Sequence, residues 1–312
     1  MPPVAEPRVV PPLFTGLSAF PLTPLRQDRV DERSFVHLVE RCAAAGVDSI
    51  TALGSTGSYA YLHRDERAAV ARLAVEHAGQ TPVFVGIGAL RTSDVLAHAE
   101  DAQAAGAAAL LLAPMSYQPL TDDDVVDLFA AVTASSSVPV IVYDNPGTTH
   151  VTFTPELYGR IAQLPGIASI KIPGVPPDPD EAREHVSGLR DAVPEHIGLG
   201  VSGDAHAARG LLAGCDSWYS VIGGTLPELA VAITRAAQQG RPEEAQELSA
   251  RLQPLWDLFA EHGSLRVVAA IAEQLGVAER SCLPLPLRGL DAAARARVAD
   301  VMEGSVAPLC LH

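Results

Sequence analysis

The sequence predicts an α/β protein, a (β/α)₈ barrel with a helical extension at its C-terminus. Between residues 17 and 221, eight short apolar segments alternate with stretches that have helical periodicity. The apolar segments do not alternate with polar residues, as expected for parallel strands buried on both faces. At 312 residues the chain has the usual length of such a barrel folded as one domain.

Each predicted strand has four to six residues rich in Val, Ile or Leu. In chain order we place the strands at Leu17–Phe20, Ser49–Leu53, Pro82–Gly86, Ala108–Leu112, Val138–Tyr143, Ile167–Ile172, Ile197–Gly200 and Ser217–Val221. Helices are predicted between them, including Asp31–Ala45, His63–Ala78, Ser93–Ala105 and Thr121–Ala134. Ser93 and Thr121 are the expected N-caps of the last two, because a hydroxyl can accept from the free N–H groups of a first turn.

The predicted domain organisation has three parts. Residues 1–12 are rich in proline and should form an extended N-terminal arm, residues 13–225 the barrel, and residues 226–312 helices packed on the barrel. The alternative is a doubly wound open sheet. It is disfavoured because "PLTPLRQDR" follows the first strand, where that fold usually has a glycine-rich dinucleotide loop.

The composition excludes several classes of function. A net charge of −15 and a pI near 5.0 argue against nucleic acid and anionic membranes as partners. The N-terminus lacks the pattern of a secretory signal, and the four widely spaced cysteines suit a reducing compartment, so we expect a cytoplasmic protein. Cysteines and histidines show no metal-ligand spacing, so we expect no zinc site.

The chain has a single lysine, Lys171, among 22 basic residues, and it lies in the sixth predicted strand, "SIKIP". If Ile170 and Ile172 face the helices, Ser169 and Lys171 face the barrel interior. Burial there lowers the pKa of an amine, whereas an arginine cannot deprotonate at all. A neutral amine is what a Schiff base with a ketone requires, so this position predicts a nucleophile. A surface or ion-pairing lysine is the alternative.

Other polar residues follow the predicted strands, where barrel active sites form. Tyr143 ends the fifth strand, where its hydroxyl could relay protons to the attacking amine. A tight turn after the second strand has backbone N–H groups and hydroxyls that could hold a carboxylate. The predicted substrate-binding residues are Ser55, Thr56, Gly57, Arg91, Gly203 and Val221.

Four segments, "GSTGSYAYL", "YDNPGTT", "SIKIPG" and "SGD", together resemble the dihydrodipicolinate synthase/N-acetylneuraminate lyase family over about residues 13–290. The resemblance implies a barrel enzyme, usually a homotetramer, that condenses a lysine with pyruvate or another 2-oxo acid and uses no cofactor. By motif position Lys171 is then the catalytic Schiff-base residue and Tyr143 the proton relay. Ser55 and Thr56 bind the carboxylate, and Thr56 also belongs to the catalytic relay.

The sequence departs from the family pattern where the second substrate binds. Thr148 stands where the synthase carries an arginine for the carboxylate of aspartate semialdehyde, and Ser58 replaces a glutamate. A tyrosine that the synthase donates across a subunit interface aligns with Ser116, one position before Tyr117. The resemblance therefore implies an intact nucleophile and an altered site for the second substrate.

These observations leave several functions open. The first is a 2-oxo acid lyase, an aldolase or dehydratase acting on a 2-oxo-3-deoxy sugar acid or a similar compound. The second is 4-hydroxy-tetrahydrodipicolinate synthase with a different carboxylate anchor. A barrel that senses a 2-oxo acid without turnover and a phosphate-binding isomerase are the remaining alternatives. The expected partners are a small 2-oxo acid and further copies of the chain.

Overall fold

A computed structural model describes residues 10–309. Its core is a closed barrel of eight parallel strands, each paired with its neighbours in chain order. The strands are β1 (Gly16–Ala19), β2 (Ser49–Ala52), β3 (Val83–Gly86), β4 (Ala109–Leu112), β5 (Val140–Tyr143), β6 (Ile167–Ile172), β7 (Gly198–Val201) and β8 (Ser217–Ser220). Strand β1 closes the ring by pairing with β8 through Gly16 and Ser217 and with β2 through Ser18 and Ser49. The predicted fold class is confirmed.

Helices follow the strands around the barrel. They are α1 (Glu32–Ala44), α2 (Arg64–His77), α3 (Thr92–Ala104), α4 (Asp122–Ser135), α5 (Pro155–Ala162), α6 (Pro179–Ala192), α7 (Ala207–Leu212) and α8 (Pro227–Gln238). A hairpin of Leu25–Arg26 with Arg29–Val30 precedes α1, and a short helix, Pro146–Thr149, follows β5.

Of the two predicted N-caps, one is confirmed and one is wrong. Thr121 caps α4 and forms a reciprocal pair of hydrogen bonds with Asp124. Ser93 instead lies within the first turn of α3, which begins at Thr92. The N-cap residue of α3 is Arg91, and its side chain makes no capping hydrogen bond. Two hydroxyl residues in succession left the sequence ambiguous here, and the helix begins one residue earlier than predicted.

The apolar residues of the strands separate into two layers. One set faces the barrel axis and includes Phe84, Leu111, Ile141 and Tyr219. The other set packs between the strands and the surrounding helices. Because successive side chains on a strand point to opposite faces, both faces of each strand must be apolar, which explains the absence of polar alternation in the sequence.

The C-terminal part begins with the helix that completes the ring. Helix α8 contacts β1 and α7, so it takes the eighth helical position of the barrel although the predicted boundary at 225 assigned it to the extension. The remaining helices are α9 (Pro242–Arg251), α10 (Gln253–His262), α11 (Ser264–Gln274) and α12 (Ala292–Val301). Val268 of α11 and Leu38 of α1 belong to one buried apolar cluster, so the extension shares a core with the barrel helices.

Nine residues of the predicted N-terminal arm, 1–9, lie outside the described residues, as do residues 310–312. Within residues 10–309, every helix is too short or too polar to cross a lipid bilayer.

Candidate active site

A cavity of about 710 Å³ opens at the carboxyl ends of the barrel strands. Loops after seven of the strands contribute to its walls, and residues at the start of α11 and the loop before α12 complete them. The residues that line it include Ser55, Thr56, Tyr143, Lys171, Gly203 and Val221, all predicted from the sequence. The volume is in the usual range for small-molecule sites.

Lys171 lies on β6 with its side chain inside the barrel and is only 4% exposed. Its Nζ atom is 4.0 Å from the centre of the Tyr143 ring and 5.9 Å from that of Phe20. Burial lowers the pKa of Lys171 to about 7, against the opposing effect of the carboxylates of Asp144 and Asp204. A substantial fraction of this amine is therefore neutral near pH 7.

Two features hold Tyr143 beside Lys171. They are the pairing of β5 with β6 and the hydrogen bonds of the Tyr143 hydroxyl. Tyr143 and Lys171 are direct partners in the register of β5 and β6. The phenol oxygen is 3.1 Å from Ser55 Oγ and accepts a hydrogen bond of 2.9 Å from Asn145 Nδ2. Burial raises the pKa of Tyr143, and the bonds to Ser55 and Asn145 oppose that rise. The phenol is thus kept protonated, able to give a proton and take one back.

The turn that carries Ser55 and Thr56 depends on close backbone packing. Leu53 has φ of 57°, a left-handed conformation that is costly for a residue with a branched side chain. Its carbonyl oxygen lies where a Cβ on Gly86 would stand, 1.8 Å away, so only glycine fits there. Ser55 and Thr56 face the cavity, whereas Gly57 packs against the backbone of Leu53 and is absent from the cavity wall.

Asp204 has a structural role that the sequence alone did not specify. Its carboxylate accepts hydrogen bonds from Trp218 Nε1 at 3.0 Å, Val221 N at 3.1 Å and Ile222 N at 2.7 Å. Burial raises the pKa of Asp204 to about 6, although these bonds favour the ionised form. Asp204 therefore joins the loop after β7 to the loop after β8 and positions Gly203 and Val221 in the cavity wall.

The structure does not bring Arg91 to the cavity. Its side chain is exposed at the N-terminus of α3, and it is not among the residues that line the site. The predicted substrate contact through Arg91 is therefore not supported by the geometry. Among residues 10–309, the cavity wall contains no arginine at all.

Sequence reasoning missed a buried hydrogen-bonded pair near Lys171, formed by Asp144 and Tyr158. Asp144 is 5% exposed, its backbone N–H donates to the carbonyl of Lys171 at 3.1 Å, and the hydroxyl of Tyr158 donates to its Oδ2. Its Oδ1 has no hydrogen-bond partner among the described residues. The signal was the acidic residue directly after Tyr143 in "YDNP", but its partner Tyr158 is 14 residues further on.

Four residues were candidates for the place of the tyrosine that the synthase donates across a subunit interface, and their positions within one subunit differ. Tyr59 and Tyr61 line the cavity. Tyr117, which is 90% exposed, and His150 do not.

Comparison with known proteins gives four findings. The model of the dihydrodipicolinate synthetase family matches residues 13–304. A 4-hydroxy-tetrahydrodipicolinate synthase from Methylococcus capsulatus is 34% identical over 283 residues, which are 90% of this chain and 94% of that protein. A solved structure of a dihydrodipicolinate synthase from Agrobacterium tumefaciens is 46% identical, with a TM-score of 0.90, over 94% of this chain and 98% of that one. A monomeric dihydrodipicolinate synthase variant is also similar, with 26% identity and a TM-score of 0.86 over 94% of this chain and 97% of that one.

Proposed function

The chain belongs to the dihydrodipicolinate synthetase family of lyases, and from this premise we propose that it forms a Schiff base between Lys171 and a 2-oxo acid. One observation carries the proposal. The single lysine of the chain is buried in the cavity beside the ring of Tyr143, and its pKa is lowered to about 7. A buried amine that is partly neutral is costly for the fold and is what attack on a ketone needs.

The residues around Lys171 support the steps of imine formation. The neutral amine attacks the ketone carbon, and the Tyr143 phenol passes protons between the amine and the carbinolamine oxygen, which leaves as water. Ser55 Oγ, 3.1 Å from that phenol, extends the relay towards the cavity. The positive iminium then accepts the electron pair released when a bond at the third carbon of the substrate breaks.

The 2-oxo acid carboxylate is best held by the turn after β2. Ser55 and Thr56 present hydroxyls to the cavity at the point where the backbone turns sharply. Hydroxyl and N–H donors in such a turn suit a carboxylate. This arrangement orients the ketone towards Lys171, as expected from the family resemblance.

We favour an aldolase or dehydratase acting on a 2-oxo-3-deoxy sugar acid or a similar compound. The second candidate, 4-hydroxy-tetrahydrodipicolinate synthase, is favoured by the names of similar proteins. Against it, Thr148 lines the cavity at the position of the synthase arginine, and no arginine of residues 10–309 lines the cavity. A sensor without turnover is less well supported, since it has no need of a partly neutral amine. We also propose a homo-oligomer, as is usual in this family.

Trapping with borohydride tests the proposal. The protein is incubated with pyruvate and sodium borohydride, and the modified peptide is identified by mass spectrometry. We expect one reduced pyruvate adduct on Lys171 and none in Lys171→Arg, because a guanidinium does not deprotonate near neutral pH. Circular dichroism of Lys171→Arg controls for folding. Absence of an adduct in the wild-type protein contradicts the proposal, and turnover of a panel of 2-oxo acids then distinguishes lyase from sensor.

A further inference from the structure

Among residues 10–309, the wall of the cavity beyond Lys171 and Tyr143 contains no lysine or arginine to pair with a second carboxylate. Two groups of side chains form this outer wall. The apolar ones are Ala60, Met115, Pro173, Val221, Leu265 and Leu287. The polar ones include the hydroxyls of Ser58, Thr148, Ser202 and Ser264, the amide of Asn145 and the imidazole of His206.

One nitrogen of the imidazole is already engaged by the backbone. His206 Nδ1 is 3.0 Å from the carbonyl oxygen of Val175, so that nitrogen donates and carries the proton. The ring also lies against Gly174, where an added Cβ would stand 2.5 Å from Cδ2, so its position is restricted. His206 thus lines the cavity with its Nδ1 atom already bound to a backbone carbonyl.

The nearby buried charges oppose a second anion. Asp144 lines the cavity, Asp204 is buried close enough to Lys171 to act on its charge, and the chain carries a net charge of −15. An anion brought into such a site without a cationic partner loses its hydration and gains no ion pair. The carboxylate at carbon 1 avoids this cost because the iminium at Lys171 provides its counter-charge.

From this wall we infer that the substrate is a 2-oxo monocarboxylate whose tail, beyond the reacting carbons, carries no charge. A tail with hydroxyl or alkyl groups fits the mixture of neutral polar and apolar side chains, and a tail that ends in a second carboxylate does not. The inference rests on the proposed imine at Lys171 and names the class of substrate for that site.

A matched pair of stable ligands provides the test. 2-Oxopentanoate and 2-oxoglutarate have the same carbon chain and differ in the last carbon, which is a methyl group in one and a carboxylate in the other. Borohydride trapping at Lys171, titrated with each ligand on the full-length protein as purified, gives the concentration for half-maximal adduct. We expect 2-oxopentanoate to require an at least tenfold lower concentration than 2-oxoglutarate.

A pair of variants tests whether the absence of a cation in the wall causes the preference for 2-oxopentanoate. Thr148 is exposed at the cavity wall, so Thr148→Arg adds a cation there, and Thr148→Gln is the uncharged control of similar reach. We expect Thr148→Arg to reduce the difference between the ligands at least about threefold and Thr148→Gln to leave it in place.

The outcomes are distinct. Equal or better trapping of 2-oxoglutarate by the wild-type protein overturns the inference. So does a wild-type preference that Thr148→Arg leaves unchanged, because the missing cation is then not its cause. If pyruvate itself forms no adduct, the proposed imine chemistry fails and the inference fails with it, a result separate from the other two.

Discussion

At the scale of single residues, the site is built around one amine and the charges that surround it. Lys171 is desolvated by the barrel, and only Asp144 and Asp204 oppose the resulting fall in its pKa. Asp144 itself is weakly held, with one hydrogen bond from Tyr158 and a free Oδ1 within the described residues. A buried carboxylate with so few partners costs stability, and its interaction with a charged lysine or iminium offsets part of that cost.

Replacing Asp144 should change how imine formation depends on pH. In Asp144→Asn the ammonium form of Lys171 loses a nearby negative charge, so the pKa of Lys171 falls below its value of about 7. Adduct formation with pyruvate should then persist to lower pH than in the wild type. Trapping across a pH series measures the shift, and Asp122→Asn, an exposed position on α4, serves as the control. A shift to higher pH contradicts this role.

At the scale of elements, the carboxyl ends of β2 and β3 determine where the carboxylate-binding turn lies. The carbonyl oxygen of Leu53 lies so close to Gly86 that any residue with a Cβ at position 86 would clash with it. Leu53 itself is held at positive φ. The turn with Ser55 and Thr56 starts from this contact, so the hydrogen bond between Ser55 and Tyr143 depends on it. Local backbone strain is thus used to position polar groups of the site.

A pair of glycine substitutions tests this contact. Gly86→Ala forces the backbone of Leu53 to move, and we expect a loss of about 1–3 kcal/mol in the free energy of unfolding together with weaker pyruvate trapping. Gly188→Ala is the comparison, because Gly188 lies exposed on α6 with no heavy atom within 4 Å of an added Cβ. It should gain roughly 0.5–1 kcal/mol through higher helix propensity. Equal stability of the two variants in chemical denaturation contradicts this account.

At the scale of the whole molecule, burial of the charged form of Lys171 lowers the stability of the folded protein. The unfolded chain holds the lysine proton up to its ordinary pKa of 10.5, whereas the folded protein releases it near pH 7. Between these values the unfolded state binds more protons, so the stability of the folded protein rises with pH. The cost of burying the charged lysine is fully present below about pH 7 and disappears above 10.5.

Removing the amine should therefore stabilise the protein. We expect Lys171→Met to raise the free energy of unfolding by roughly 1–4 kcal/mol at pH 7. The gain should shrink as the pH approaches 10.5. Denaturant melts at several pH values measure it, with Arg33→Met as the control for loss of an exposed cation. A variant less stable than the wild type at pH 7 shows that the lysine stabilises the barrel.

The eight strands could be predicted from the sequence to within two residues at their starts and one at their ends, because each is a run of apolar residues buried on both faces. The position of Lys171 inside the barrel follows from strand alternation for the same reason. The role of Arg91 could not be predicted, since the direction of an exposed side chain after a strand is not encoded by periodicity. The boundary at 225 was placed after the eighth predicted strand, and the sequence does not show that the next helix, α8, lies in the ring.

The sequence by itself determined the barrel, the order of its strands and the presence of one candidate nucleophile, since these depend on patterns within a few residues of each other. The tertiary structure alone decided which groups act on that nucleophile. Tyr158 meets Asp144, Trp218 meets Asp204, and Leu265 and Leu287 reach the cavity from the C-terminal helices and loop. Such contacts join residues from separate elements, and their geometry follows from closure of the ring rather than from any local pattern.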